Sequence, residues 1–156
     1  MFTGIVKSIG SIKTLQEDRL LISTDDDTFH NLEYGTSVSI DGCCLTLKEY
    51  IDNKLLFQIS DETISRTSLN KSHCGFVNME LPLTVNSLLS GHIVQGHVDK
   101  VIVLNHYEKL DNELWNFYFK NADKKYIVDK GSITLNGVSL TVVNPDEDRF
   151  SVAVIE

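Results

Sequence analysis

The sequence is poor in the features that mark several large classes of protein. Its 156 residues include only two prolines and three cysteines, and Cys43 and Cys44 are adjacent. An odd number of cysteines with two neighbours is a poor disulfide framework, so we interpret them as free thiols of a reducing compartment. No run of about 18 apolar residues is present, and the N-terminus MFTGIVKSIG lacks the apolar segment of a secretion signal. A cytoplasmic protein is therefore expected.

Positive charge and nucleotide-binding motifs are also lacking. Fourteen basic against 22 acidic residues give a formal net charge of −8 without a basic run, which argues against nucleic acid or an anionic membrane as partner. Neither GxGxxG nor a phosphate loop ending in GK(S/T) occurs. His92 and His97 are five residues apart and no CxxC motif accompanies them, which does not favour a metal site. A small molecule or another protein is the expected partner.

Short segments of β-type composition fill the chain: KLLFQIS, FVNMEL, KVIVL, LWNFYF, SITL, VSLTVV and FSVAVI. Clusters of Gly, Asn and Asp separate them, a pattern typical of an all-β sandwich or barrel. Helical composition is limited to three brief stretches, residues 62–69, 85–89 and 122–128.

One hairpin sequence occurs twice. SIDGCCLTL in the first half of the chain returns as TLNGVSLTV in the second. Aligning Gly42 with Gly137 gives an offset of 137 − 42 = 95, and the same offset pairs Phe2 with His97. Self-similarity at a fixed offset indicates an internal duplication.

The duplication predicts two similar domains, residues 1–86 and 87–156. After its last shared strand the first copy continues with DETISRTSLNKSHCGFVNMEL, whereas the second stops at VAVIE. We therefore expect the second domain to lack its closing strands.

The repeat also predicts which cysteine faces the core. Cys43 matches an apolar residue of the second copy, whereas Cys44 and Thr46 match Ser139 and Thr141. Successive side chains of a strand point to opposite faces, so we expect Cys43 in the core and the short polar residues on the other face. That face is either the solvent side of the strand or the lining of a pocket. Short Cys, Ser and Thr side chains, rather than Lys or Glu, favour a pocket.

Six motifs, in this order and in a duplicated chain, resemble riboflavin synthase of the α-chain type, a family with two lumazine-binding domains: MFTGIV, DGCCLTL, DET, VNMEL, SGHIVQGHVD and KGSITLNGVSLTV. The resemblance covers the whole chain. It implies two six-stranded Greek-key β-barrels, the second of them C-terminally truncated here, and a homotrimer formed through a C-terminal helix. It also implies one 6,7-dimethyl-8-ribityllumazine in each barrel, with two molecules stacked where the N-barrel of one subunit meets the C-barrel of its neighbour.

The resemblance implies a cofactor-independent transferase. A four-carbon unit passes from one lumazine to the other, giving riboflavin and 5-amino-6-ribitylaminouracil. The lumazine is an electrophile and, once its C7 methyl loses a proton, a nucleophile, so neither cofactor nor metal is expected. Two alternatives stay open: a non-catalytic binder of lumazine or flavin with the same fold, and an assembly partner of lumazine synthase. The presence of Cys44, His97 and Ser139 together favours the enzyme.

Carried over position by position, the resemblance implies binding residues in both halves. The N-barrel pocket would contain Gly4, Ile5, Val6, Cys44, Leu45, Thr46, Gln58, Ile59, Ser60, Asp61, Glu62 and Thr63. The C-barrel pocket would contain Gly96, His97, Val98, Lys130, Ser139, Leu140 and Thr141. The residues expected nearest the reacting atoms are Phe2, Thr3, Cys44, His97 and Ser139. An imidazole is the side chain best suited to proton transfer near neutrality, and Cys44 would act either as a nucleophile or as a hydrogen-bonding group.

Overall fold

The computed structural model describes residues 1–71, 75–110, 113–120 and 123–155, and these form an almost purely β structure. The strands are β1 Ser8–Gln16, β2 Arg19–Ser23, β3 Ser37–Ile40, β4 Cys43–Ile51, β5 Lys54–Gln58, β6 Phe76–Glu80, β7 Leu104–Lys109, β8 Leu114–Lys120, β9 Ser132–Leu135, β10 Val138–Val143 and β11 Arg149–Ile155. A single short α-helix among the described residues, α1, covers Asp61–Arg66. None of this described chain forms a helix of the length and apolarity that a membrane span needs. The predicted all-β class is confirmed.

The first half is a closed barrel. Its strands follow the order β1-β2-β5-β4-β3-β6, and every neighbouring pair is antiparallel. The consecutive strands β3, β4 and β5 form a meander, and β2 lies beside β5, which is the Greek-key arrangement. Alternate residues of these strands meet inside the barrel, where Leu47 and Phe57 are fully buried. This core fixes which face of β4 carries the polar residues.

The second half repeats the same order without closing. Its five described strands follow the order β7-β8-β11-β10-β9, which matches β1-β2-β5-β4-β3 of the first half. In the first half, β6 lies between β3 and β1; the described residues place no strand at the corresponding position between β9 and β7. The core is correspondingly smaller, with Val142, Phe150 and Val152 buried.

Three local predictions failed in whole or in part: two in the segment that leads from β6 into β7, and one between β8 and β9. Residues 85–89 form no helix; a turn begins at Thr84, whose Oγ1 is 2.8 Å from Ser87 Oγ. Of the predicted helix 122–128, Ala122 lies outside the described residues and the remainder contains only a turn. The KVIVL segment becomes a strand only from Leu104 onward. These segments depart from the elements that their composition favoured, as tertiary context often overrides propensity.

The two halves meet about an approximate twofold axis. Phe2 and Val94 form an antiparallel bridge, with Phe2 N donating to Val94 O at 2.8 Å and Val94 N donating to Phe2 O at 3.0 Å. The tight turns of the repeated hairpin also touch, since a Cβ on Gly42 would lie 2.8 Å from Gly137 N. An antiparallel bridge on a twofold axis pairs equivalent residues. The equivalent of Phe2 is therefore Val94, at an offset of 94 − 2 = 92, and the predicted pairing of Phe2 with His97 is wrong by three residues.

Candidate functional site

The strand that carries Cys44 is bordered by a segment of the other half. Cys44 N donates to Gly96 O at 2.8 Å. Gly96 has φ +84, and a Cβ there would lie 2.6 Å from Cys44 Cβ, so only glycine permits this approach. Two residues further on, Val98 packs against the core of the first barrel. His97, between them, is exposed to solvent.

The strand that carries Ser139 is bordered in the same way by the N-terminal segment. Ser139 N donates to Gly4 O at 2.7 Å. Gly4 has φ +75, and a Cβ there would lie 2.6 Å from Ser139 Cβ. We call the Cys44–Gly96 contact the first junction and the Gly4–Ser139 contact the second junction.

The two junctions cross the halves. The resemblance implied that Gly4, Ile5 and Val6 line one pocket with Cys44, whereas the structure places Gly4 against Ser139. The resemblance likewise implied that Gly96 lies in one pocket with Ser139, but Gly96 lies against Cys44. Each polar strand thus has, as its neighbour, a glycine-containing segment from the opposite half of the chain.

A histidine that sequence reasoning considered only as a metal ligand joins the second junction. His92 Nδ1 is 2.6 Å from Ser139 Oγ, and its Nε2 is 3.0 Å from Thr134 Oγ1. Ser139 and Thr134 are direct cross-strand partners of β10 and β9, so both hydroxyls reach the same imidazole. The backbone of His92 is held as well, since His92 N donates to Thr3 O at 3.1 Å. The signal in the sequence was the first histidine of GHIVQGH.

The group formed by His92, Ser139 and Thr134 can polarise a hydroxyl. In a neutral imidazole one ring nitrogen accepts a hydrogen bond and the other donates one. His92, fixed between two hydroxyls, is therefore oriented to accept from Ser139 while donating to Thr134, or the reverse. In the first orientation, it is placed as a base for the Ser139 hydroxyl.

The adjacent thiols differ as predicted. Cys43 is 7% exposed within the core of the first barrel, while Cys44 is partly exposed on the opposite face of β4. Burial, with a smaller contribution from the neighbouring Cys44, raises the pKa of the Cys43 thiol to about 11. A thiol reacts through its thiolate, so Cys43 is chemically inert in the folded protein. Cys74 lies outside the described residues.

The predicted residues that follow β5 lie around the start of α1. Ser60 is the N-cap of this helix and its Oγ accepts a hydrogen bond from Thr63 N at 3.2 Å. Glu62 is exposed and pairs with Arg66, with 3.1 Å between Oε1 and Nε. Gln58 donates to Asp18 Oδ2 at 2.6 Å. Because β5 is the neighbour of β4 in the barrel, these polar groups belong to the same region as Thr46.

The remaining predicted residues fall into three environments. Three are buried: Phe2, Leu45 and Ile59. Thr3 is also buried, but at the second junction. Four lie partly buried beside the junctions: Ile5, Val6, Val98 and Leu140. The exposed ones are Thr46, Gln58, Ser60, Asp61, Glu62, His97, Lys130 and Thr141. The five residues expected nearest the reacting atoms therefore do not form one cluster, because Cys44 and Ser139 belong to different junctions.

A cleft of about 520 Å³ lies beside the predicted groups rather than on them. It is lined by Val6, Lys7, Ser8, Ile9, Thr24, Asp25, Asp26 and Asn78, of which Val6 alone was predicted. Among the residues that the structure describes, no three His, Cys, Asp or Glu side chains are grouped as ligands of a metal ion. The chemistry available at the junctions is that of hydroxyl, thiol, imidazole and backbone groups.

Comparison with known proteins first defines the class. The model of the lumazine binding domain matches the chain twice, over residues 3–82 and 95–156. Each match contains one of the polar strands, with Cys44 in the first and Ser139 in the second. The chain is therefore a protein of two lumazine-binding domains, as its two related sheets indicate.

Curated relatives then define the family. Riboflavin synthase of Actinobacillus pleuropneumoniae is 33% identical over 161 residues, which cover 99% of this chain and 74% of the relative. Riboflavin synthase of Bacillus subtilis is 32% identical over 162 residues, with the same coverage, and that of Schizosaccharomyces pombe is 34% identical over 169 residues, covering 99% of this chain and 78% of the relative. The chain belongs to the riboflavin synthase family.

Solved structures agree in fold. The crystal structure of LumP complexed with riboflavin superposes with a TM-score of 0.86 at 26% identity, covering 98% of this chain and 86% of that one. LumP complexed with 6,7-dimethyl-8-(1'-D-ribityl) lumazine gives a TM-score of 0.85 at 26% identity, covering 99% and 87%. The arrangement of the two halves is thus shared with proteins that were solved with these ligands bound.

Proposed function

We propose that the protein is a riboflavin synthase that converts two molecules of 6,7-dimethyl-8-ribityllumazine into riboflavin and 5-amino-6-ribitylaminouracil. The observation that carries the proposal is the pair of matched junctions, in which Cys44 and Ser139 donate through their backbone N–H groups to Gly96 and Gly4. A reaction between two copies of one substrate needs two related binding sites. The duplicated chain offers two, with different side chains for the two roles.

Each junction would bind one lumazine. The first half-site consists of Cys44 and Thr46, the crossing segment Gly96 to Val98, and the polar groups at the start of α1, which suit the ribityl hydroxyls. The second half-site consists of Ser139, Thr141 and Lys130 together with the crossing segment Gly4 to Val6.

The reaction would divide between the half-sites as follows. One lumazine loses a proton from its C7 methyl and becomes the nucleophile; the other accepts the attack at its ring carbon. His92, held by two hydroxyls, and the exposed His97 are the imidazoles available for proton transfer. The Cys44 thiol, or a water held by Cys44 or Ser139, would add to a ring carbon and leave again as the products form, so that the protein is regenerated. Binding both rings in contact supplies the orientation that a reaction between two substrates requires.

The two half-sites belong to different junctions of one chain, so we place the reaction between subunits. The N-barrel site of one subunit would face the C-barrel site of its neighbour in a homotrimer, as the family resemblance implies. We also propose a cytoplasmic location and keep an association with lumazine synthase as a further interaction to be tested by co-purification.

The alternative is a protein that binds lumazine or flavin without turnover. The similarity to LumP solved with riboflavin favours it, since the first half-site alone would be sufficient for binding. The distinction is made by incubating the protein with 6,7-dimethyl-8-ribityllumazine as the only reagent and following riboflavin absorbance. We expect riboflavin to accumulate catalytically, and we expect Ser139→Ala to slow its formation strongly. Saturable quenching of lumazine fluorescence without riboflavin would favour the binding protein.

A further inference from the structure

Glu80 is a buried carboxylate to which the proposed reaction assigns no role. It ends β6, is 9% exposed, and its two oxygens face the N-terminal segment. Oε1 accepts hydrogen bonds from Thr3 N at 2.7 Å and Thr3 Oγ1 at 2.6 Å, and Oε2 accepts one from Gly4 N at 3.0 Å. A buried carboxylate is costly unless several donors satisfy it. Here all three donors come from two consecutive residues, so the carboxylate fixes their conformation.

The same two residues hold the second junction from their opposite side. Thr3 O accepts from His92 N at 3.1 Å, and Gly4 O accepts from Ser139 N at 2.7 Å. Thr3 and Gly4 therefore form a two-residue link: their N–H groups are bound by Glu80 and their carbonyl groups by His92 and Ser139.

The link needs such an anchor because its backbone is intrinsically free. Gly4 adopts φ +75, a region that glycine shares with many alternative conformations. It also precedes the first strand, so the hydrogen bonds between β1 and its neighbouring strands do not hold it. Without the carboxylate, Gly4 O could move away from Ser139, and the 2.6 Å contact between Ser139 Oγ and His92 Nδ1 would lose one of its supports.

We infer that Glu80 is a positioning residue of the second half-site: a carboxylate from the first barrel sets, through Thr3 and Gly4, the geometry of Ser139 and His92. The catalytic part of this inference rests on the proposed function. The geometric part does not, because it concerns the backbone and side chains of the protein without ligand.

The test compares Glu80→Gln with Asp41→Asn. Glutamine keeps the length of Glu80 but presents an NH₂ group to a backbone N–H, so at least one of the three hydrogen bonds is lost. Asp41 also lies where the halves meet, but its carboxylate accepts from Asn78 N at 2.7 Å, a bond that an amide oxygen retains. It therefore controls for the loss of a partly buried charge near the contact between the halves.

Amide hydrogen exchange separates positioning from stability. We expect Glu80→Gln to accelerate exchange of the Ser139 amide at least tenfold relative to the amide of Leu55 in the first core, with a changed ¹⁵N shift of the His92 ring. Asp41→Asn should not accelerate exchange of the Ser139 amide. Equal acceleration of Ser139 and Leu55 would show that Glu80 acts on stability alone and would overturn the inference.

Turnover is measured in parallel. A loss of kcat of at least tenfold, with riboflavin affinity of the first half-site within twofold of the parent, completes the expected result. If the parent chain binds lumazine without turnover while the Ser139 exchange still responds, the proposed function fails and the geometric inference stands. Should Glu80→Gln not fold, Glu80→Asp, which keeps the charge on a shorter side chain, is expected to give a smaller but selective acceleration at Ser139; no selectivity there would overturn the inference.

Discussion

Asp41 lies at a point of the fold where a charge is unfavourable, and replacing it with asparagine should stabilise the protein. It occupies the tight turn before β4, with φ +47, in a turn that touches the equivalent turn of the second half. The equivalent residue there is Asn136, with φ +46. Asparagine is therefore already accepted by this backbone conformation, which it adopts more readily than most residues.

The size of the expected change in stability follows from the pKa of Asp41. Burial raises the pKa of the Asp41 carboxyl from 3.8 to about 6, and the hydrogen bond from Asn78 N opposes this rise. Each unit of pKa difference between the folded and unfolded chain corresponds to about 1.4 kcal/mol of free energy of unfolding. Ionising Asp41 therefore costs the folded protein about 3 kcal/mol at most. Because the folded pKa is the higher one, the folded chain binds the proton more tightly, and stability from this group falls as pH rises from about 4 to about 6.

We expect Asp41→Asn to raise the free energy of unfolding by about 1–3 kcal/mol at pH 8 and to have little effect at pH 4, where the parent carboxyl is protonated. Urea unfolding followed by circular dichroism, with fluorescence of the sole tryptophan, Trp115, as a probe of the second sheet, measures both values. Asp52→Asn is the matched control: it is an exposed turn residue with the same φ of +47, and a change within about 0.5 kcal/mol is expected. A difference for Asp41→Asn that does not vary between pH 4 and 8, or a loss of stability at pH 8, would refute the reasoning.

Three further predictions concern the junctions. Gly96→Ala should destabilise the protein by more than about 3 kcal/mol, because the new Cβ meets Cys44 at 2.6 Å. Gly35→Ala is the control: Gly35 has φ +85 and nothing within 4 Å of an added Cβ, so the substitution should cost only about 1 kcal/mol. Equal losses of stability in thermal unfolding would contradict the contact between Gly96 and Cys44. Alkylation at pH 8 should modify Cys44 and spare Cys43, whose pKa is raised to about 11, and peptide mass spectrometry identifies the modified residue. Bound lumazine should protect Cys44. Modification of Cys43 in the folded chain would argue against the assigned faces of β4. Ser139→Ala should lower turnover by about 10²–10⁴-fold, as expected for a group in proton transfer or addition, with riboflavin affinity of the first half-site within twofold; a parallel loss of affinity and rate would remove the division between half-sites.

The features that the sequence predicted correctly depend on local alternation. Cys43 and Cys44 could be assigned to opposite faces because a strand has a period of two residues, and the second copy of the hairpin showed which face is apolar. The order of strands in the second half follows from the same repeat, since similar sequences in similar contexts form similar sheets. These conclusions needed no knowledge of which segments meet in space.

The features that it missed depend on contacts between distant segments. The offset of 95 holds for the hairpin but not for the N-terminal segment, where a different spacing before the first strand makes Val94 the equivalent of Phe2. Close to this bridge Gly4 lies beside Ser139, and residues 85–89 contain a turn instead of the predicted helix. No periodicity within the sequence could have indicated it.

Polar side chains that act across this bridge were missed for the same reason. In the sequence, His92 appeared only as one of two histidines with unsuitable metal spacing and as part of SGHIVQGHVD, and Glu80 only as part of the β-type segment FVNMEL. Their partners are 47 and 77 residues away in the chain. Such groups can be recognised once the hydrogen-bond partners of every buried polar atom are traced, because buried polar groups are nearly always paired.

The most direct test of the account is the origin of the carbon atoms in the product. The protein is given an equal mixture of unlabelled 6,7-dimethyl-8-ribityllumazine and the same compound carrying ¹³C throughout its C6, C7 and methyl carbons, and the riboflavin formed is analysed by mass spectrometry. An enzyme that joins two lumazines in this way gives a binomial distribution of zero, one and two labelled four-carbon units, together with one molecule of 5-amino-6-ribitylaminouracil for each riboflavin. If the labelled and the unlabelled lumazine both bind but are recovered unchanged, with no riboflavin formed, the proposed reaction is contradicted.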